Sequence, residues 1–178
     1  MKARLLSQRI RLIACTGILL AAGCSTQTPQ AVNPIPTLSA VELSDLDIVM
    51  GQLVFVPAYS EIFYGVASQR LGLTTTLAIH NTDLENPIII RSVRYYDTDG
   101  NLVREYIEQP AQLNPMATIG FVIEASDTMG GWGTNFLVEW GAETPVHEPV
   151  IEAIMVSSRG TEGVSFVSLG RVVSEQRP

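Results

Sequence analysis

Between Leu71 and Trp140 apolar and polar residues alternate with a period of two, and the breaks fall at Asn, Asp, Gly and Pro. A period of two sends successive side chains to opposite faces of an extended strand, so one face packs on a core and the other meets water. Leu73, Thr75, Leu77 and Ile79 then share one face of a strand, and Thr74, Thr76, Ala78 and His80 take the other. The same reasoning predicts strands over Leu53–Val56, Ile88–Tyr96, Leu102–Ile107, Thr118–Glu124, Asn135–Trp140, Val150–Val156 and Val164–Val173. Gly120 inside one of them marks a bulge, and Gly170 interrupts the last. Pro57 lacks an N–H and belongs at an edge or a strand end. Asp99-Gly100 between two β-rich runs signals a hairpin, because glycine adopts positive φ without a Cβ clash. Val41 to Met50 carries a weak helical spacing and forms a short helix or the lead-in to the sheet. Roughly eight short strands with no helix-length amphipathic segment between them give an all-β fold, an immunoglobulin-like antiparallel β-sandwich. The domain is expected over 46–174, with 175–178 as a C-terminal tail.

The start of the chain reads differently. Residues 1–23 carry only positive charges, Lys2, Arg4, Arg9 and Arg11, ahead of an apolar run from Leu12 to Ala22. A basic start, a short apolar stretch and small residues at its end make a secretory signal. Eleven apolar residues are too few for a spanning helix, which needs about 20. Leu20-Ala21-Ala22-Gly23-Cys24-Ser25 resembles the lipobox of bacterial lipoproteins. The resemblance implies cleavage before Cys24, lipidation of its thiol and a membrane anchor, and Ser25 resembles the outer-membrane sorting pattern rather than inner-membrane retention. Residues 24–45, with Pro29, Pro34 and Pro36, then read as a flexible tether.

Processing also fixes what the domain lacks. Cys15 leaves with the signal and Cys24 carries lipid, so no thiol is left for a disulfide, a thiolate metal site or a nucleophile. Lys2 is the only lysine, which excludes Schiff-base and lysine-base chemistry from the mature domain. The whole chain has 11 basic and 18 acidic residues; losing four basic ones leaves seven against 18, a net charge of −11. Such a surface repels phosphate backbones, so nucleic acid is not an expected partner.

Val56-Pro57-Ala58-Tyr59-Ser60, Val93-Arg94-Tyr95-Tyr96-Asp97, Gly100-Asn101-Leu102-Val103-Arg104-Glu105-Tyr106 and Gly130-Gly131-Trp132-Gly133-Thr134-Asn135-Phe136-Leu137-Val138-Glu139-Trp140 together form one pattern. From about Gln52 to Val172 the chain resembles a family of bacterial envelope proteins classed as a domain of unknown function. That resemblance implies an envelope location and a β fold, and brings no catalytic residues.

The candidate chemistry is sparse. Asp97, Asp99 and Asn101 have the spacing that opens a calcium loop, but Leu102 stands where its sharp turn requires glycine, so a plain hairpin is expected. His80 and His147 are the only histidines, each beside a turn, too few for zinc, and both read as surface residues. No Gly-x-Ser-x-Gly elbow is present. Glu139 and Glu152 offer a carboxylate pair for a hydrolase, the rival reading. Structurally, Glu152 shares a partly apolar strand face with Val150, Ile154 and Val156, so a pair with Arg91 or Arg94 is expected. No cofactor or metal is expected, and the leading reading is a non-enzymatic, lipid-anchored module facing the periplasm from the outer membrane, binding an envelope protein or a glycan.

The ligand or partner contact is placed on the loop Asp127, Gly130, Gly131 and Trp132. Flanking glycines leave Trp132 without neighbours to bury it and let a ligand approach the backbone. Alternatively Trp132 folds back to plug the end of the sandwich, the glycines supplying only positive φ. Trp140 shares a face with Phe136 and Val138 and belongs in the core.

Overall fold

The computed structural model describes residues 38–159 and 162–177; the signal segment, Cys24 and most of the expected tether lie outside them. The strands are β1 (Ser39–Ala40), β2 (Met50–Pro57), β3 (Glu61–Tyr64), β4 (Val66–Gly72), β5 (Thr74–His80), β6 (Ile88–Tyr96), β7 (Leu102–Glu105), β8 (Ala111–Leu113), β9 (Thr118–Ile123), β10 (Asn135–Ala142), β11 (Val150–Arg159), β12 (Glu162–Leu169) and β13 (Arg171–Gln176). Short 3-10 turns cover Leu43–Asp45 and Gly131–Gly133. Among the described residues no helix is long and apolar enough to cross a membrane.

The strands make an antiparallel β-sandwich. One sheet has the order β1-β8-β6-β10-β2-β13, with β7 also paired to β6, and the other runs β12-β11-β5-β9. The β3–β4 hairpin forms a separate two-stranded sheet. Alternation decides which faces meet. Val54, Val56, Val93, Tyr95, Phe136, Val138 and Trp140 from the larger sheet and Leu77, Ile79, Phe121, Ala153 and Met155 from the smaller one are all buried in a single cluster. Aromatic rings help tie the cluster together: Tyr106 stands 5.3 Å from Phe121 and 6.1 Å from Phe136, centroid to centroid. Trp140 is in the core, as its strand face predicts.

Several expectations change. The run Val164–Val173 is two strands in two sheets: β12 pairs with β11, the chain turns at Gly170, and β13 pairs with β2. Gly170 is where the backbones meet, for a Cβ there would lie 2.6 Å from Val54 Cγ1 and 2.9 Å from the Ile151 carbonyl oxygen. Gly120 makes no bulge; the β5–β9 register runs unbroken through Ala78 and Gly120. Register shifts fall elsewhere, one of them in β6, where Glu139 pairs with Ser92 and Trp140 with Ile90, leaving Arg91 as the extra residue. Ser39 and Ala40, inside the expected tether, pair with Gln112 and Ala111, and the Val41 N–H donates to the Pro110 carbonyl. At the other end Glu175 and Gln176 belong to β13 rather than to a tail. Of the two alternatives for Val41–Met50 the lead-in is the one found: a 3-10 turn over Leu43–Asp45 and then the chain enters β2 at Met50.

Candidate functional site

The β3–β4 hairpin is the part of the fold that the alternation does not predict. It turns at Gly65, whose φ of 65° glycine alone adopts readily. Its register sets Phe63 opposite Arg70 and Glu61 opposite Gly72. The Arg70 guanidinium carbon lies 3.9 Å from the Phe63 ring centroid, a cation–π contact, while its Nη1 donates to Glu61 Oε1 at 2.8 Å. Phe63, Tyr64 and Val66 are 48%, 47% and 59% exposed, so the hairpin presents large apolar groups to solvent.

The glycine-rich loop meets this hairpin. Trp132 is 49% exposed and its ring stands 6.0 Å from that of Phe63, tilted by 51°. It neither stands alone nor plugs the end of the sandwich; it leans on a partner that the sequence reading did not identify. Beside this pair, Ile62, Phe63, Tyr64 and Leu71 of the hairpin face Ser157, Gly163 and Val164 of the β11–β12 hairpin across a cleft of about 370 Å³.

The loop under Trp132 is fastened at every step. Asp127 holds its start: Oδ2 accepts from Arg104 Nη2 at 2.9 Å and Oδ1 from the Met129 N–H at 3.1 Å. Arg104 also donates to the Tyr106 hydroxyl, which donates to the Val122 carbonyl. Burial pushes the Tyr106 phenol above its ordinary range, and Arg104 opposes that shift. Thr98 donates from both its N–H and its hydroxyl to the Gly130 carbonyl, and its hydroxyl oxygen accepts the Gly133 N–H. Ser60 donates its hydroxyl to the Gly131 carbonyl at 2.9 Å. Of the flanking glycines only Gly131 has positive φ, 72°. Gly130 is helical in conformation and is required for space, because a Cβ there would sit 2.1 Å from the Tyr95 hydroxyl oxygen. Burial raises the Tyr95 phenol above its ordinary range. Among the expected contact residues, then, Asp127, Gly130 and Gly131 build the loop and Trp132 alone presents a surface; Gly130 is itself buried.

The other candidates disperse. Glu139 and Glu152 lie in different sheets, each on the face turned from the core, so they cannot flank one bond. Of the expected Arg–Glu pair Arg91 is a member, but its partner is Glu139 and not Glu152: Arg91 Nη1 lies 2.8 Å from Glu139 Oε1 in an ion pair. Glu152 shares its outward face with Val150 and Val156, while Ile151, Ala153 and Met155 face the core, so it needs no buried cation. Its neighbour is His80, whose Nε2 is 3.9 Å from Glu152 Oε1 and whose Nδ1 is 2.8 Å from Thr118 Oγ1. This Thr–His–Glu line crosses three strands, β9, β5 and β11, on the outward face of the smaller sheet. His147 contributes only its backbone N–H, which donates to Asp83 Oδ2 at 3.1 Å.

Asp83 is a buried hub that the sequence reading missed. Its carboxylate also accepts the N–H groups of Glu85 and Asn86, and these bonds, Glu85 first, lower its pKa to about 2. Asp97 is used inside its hairpin: it accepts from the Asn101 side chain and from the N–H groups of Asn101 and Asp99, with Gly100 at φ 84°. Among the described residues no group of three or more His, Cys, Asp or Glu could hold a metal ion.

No curated protein matches the chain. Among solved structures, the crystal structure of Thermotoga maritima 1070 is similar over 67% of this chain and 92% of that one, at 12% identity and a TM-score of 0.39. A family described as protein of unknown function (DUF3124) matches residues 51–173, most of the sandwich, and the chain belongs to that family.

Proposed function

We propose that the protein is a lipid-anchored envelope module that binds rather than catalyses, and that the Trp132–Phe63 ledge with its adjoining cleft is its contact surface. The observation that carries this reading is one of cost. Two large rings are held half in water, Trp132 on a loop fastened by Thr98, Ser60 and Arg104 and Phe63 on the β3–β4 hairpin with Tyr64 and Val66. Rigid aromatic anchors lose little conformational entropy on binding, which makes them effective at protein interfaces. The cleft lining favours a protein partner's apolar side chain over a sugar. Among the described residues of its lining only Tyr64 and Ser157 carry a polar side chain, whereas a sugar ring needs several partners for its hydroxyls. The two rings also tilt by 51° instead of forming one flat stacking platform. The lipobox at Cys24 would hold the module at the membrane.

The test is site-specific photocrosslinking in the native envelope. A photoreactive residue at Tyr64 should trap a discrete partner, and Trp132→Ala should reduce that product roughly tenfold or more, as expected when an aromatic anchor is truncated. Equal trapping from a probe at Thr76, on the outer face of the smaller sheet, or a yield indifferent to Trp132→Ala, would refute the reading. Cys24→Ser tests the anchor: an unprocessed precursor is expected, and a correctly cut soluble protein would overturn it.

A further inference from the structure

The larger sheet carries a second feature on the face turned from the core, independent of the aromatic ledge. Between β6 and β13 lies a hollow of about 260 Å³, walled on one side by Arg91 and Arg94 and on the other by Ser174 and Gln176, with the carboxylates of Glu139 and Glu175 also in its lining, each engaged by its own arginine, Arg91 and Arg177. Its floor is kept low by Gly51, where a Cβ would lie 2.4 Å from the Trp140 carbonyl oxygen. Ile48 closes one end and is pinned there by Gln176, whose Nε2 donates to the Ile48 carbonyl at 3.0 Å.

The two arginines differ in what they face. Arg91, the extra residue of the β6 bulge, is paired with Glu139 at 2.8 Å. Arg94 makes no ion pair with any described carboxylate, although the chain has 18 acidic residues and Arg70, Arg104 and Arg177 each have one. The Nε atoms of both Arg91 and Arg94 are shielded from solvent and donate to no acceptor. An anion in the hollow therefore meets the Nη groups of Arg94 and not its shielded Nε, and the two Nη–H groups of a guanidinium also form a planar fork matched to two oxygens of a carboxylate or phosphate. With Glu139 held by Arg91 and Glu175 by Arg177, and with Glu105 opposite Arg94 in register but not ion-paired with it, Arg94 is the cation of the hollow left to attract an anion.

We propose that this hollow binds the oxyanion group of a small ligand, a carboxylate or a phosphate. Arg94 supplies the uncompensated charge, and Arg91, held by Glu139, is the second donor. The site is separate from the ledge, so its occupancy does not depend on that surface being a docking site.

The full chain in detergent should be titrated calorimetrically with acetate and with inorganic phosphate, ionic strength being held constant with chloride. Saturable binding of at least one anion is expected, and comparing the two arms tells a planar carboxylate site from a tetrahedral phosphate site. Arg94→Gln should weaken that binding at least tenfold. Arg171→Gln should leave it within twofold; Arg171 is an exposed arginine of β13 outside the hollow, also without a described ion pair. If Arg94→Gln fails to fold, Arg94→Lys decides: it keeps the charge but loses the fork, and several-fold weaker binding with native melting is expected. Absence of any saturable signal above the chloride control, or equal weakening by Arg171→Gln, would overturn the proposal.

Discussion

Gly130→Ala isolates the steric basis of the ledge. Gly130 has φ −73° and ψ −27°, a conformation alanine adopts without strain. Conformational entropy alone therefore predicts a gain of roughly 0.4–1 kcal/mol from stiffening the unfolded chain. Space predicts the opposite. The new Cβ would lie 2.1 Å from the Tyr95 hydroxyl oxygen and 2.5 Å from Thr134 Oγ1, where ordinary contact begins at 3.4 Å. Tyr95 cannot swing aside, because it is fully buried and its ring packs 5.6 Å from that of Phe136. Overpacking of this kind costs about 1–3 kcal/mol, and an overlap above 1 Å against an immobile ring belongs at the upper end. The net expectation is a loss of about 2 kcal/mol, or roughly 8 °C in melting temperature for a domain of this size. Melting followed by far-ultraviolet circular dichroism measures it. Tyr95→Phe removes the nearest atom but not Thr134, so in that background the same substitution should cost about 1 kcal/mol less, a coupling that a double-mutant cycle resolves. A neutral or stabilising Gly130→Ala, or a cost unchanged by Tyr95→Phe, would refute the argument.

Three shorter predictions follow from neighbouring geometry. Asp83 has a folded pKa lowered to about 2 from an ordinary 3.8, so its contribution is complete above about pH 4 and is lost as pH falls through 2. Asp83→Asn should therefore be less stable than wild type at pH 7, with the gap closing in acid denaturation between pH 4 and 2; a constant gap counts against the hub. Gly170→Ala should destabilise by about 2 kcal/mol through overpacking against Val54 and Ile151, and melting within 2 °C of wild type would show that the sheet crossing can relax. With Trp140→Phe leaving Trp132 as the only indole, emission should be red-shifted and readily quenched by acrylamide, since Trp132 is 49% exposed; blue-shifted, protected emission would remove it from the surface.

The strands legible in the sequence are those with one buried face. β5 and β6 emerge at or within one residue of their expected bounds because Leu77, Ile79, Val93 and Tyr95 must face the core, which imprints a period of two. β3 and β4 bury neither face fully, so no such imprint exists, and β8 is three residues long, too short to show a period. The Val164–Val173 run misleads for a related reason. Alternation persists across Gly170, but a pattern of periods records which face is buried and not which sheet the strand joins. Glu152 shares the expected face with Val150, Ile154 and Val156, but that face points outward, because β-branched residues suit a strand whether or not they are buried.

The site was half legible. Glycines on both sides of Trp132 marked the loop, but the partners that define it are remote in sequence. Arg104 is 23 residues from Asp127, and Thr98 is 32 from Gly130. Asp127 therefore looked available when it is already paired. Phe63 was invisible because it lies in the hairpin that writes no pattern, and that same fact gives its exposure meaning. β3 and β4 form a sheet of their own, and Phe63, Tyr64 and Val66 lie about half exposed outside the core cluster, so changing Tyr64 or Val66 to a polar residue should alter stability by no more than about 0.5 kcal/mol. Folding alone does not demand apolar groups there, while exposure of a contiguous apolar patch carries a solubility cost. Residues that stability does not require and solubility opposes are best explained by contact with something else, which is why we propose the ledge, rather than the internally hydrogen-bonded Asp83 or Asp97 turns, as the contact surface.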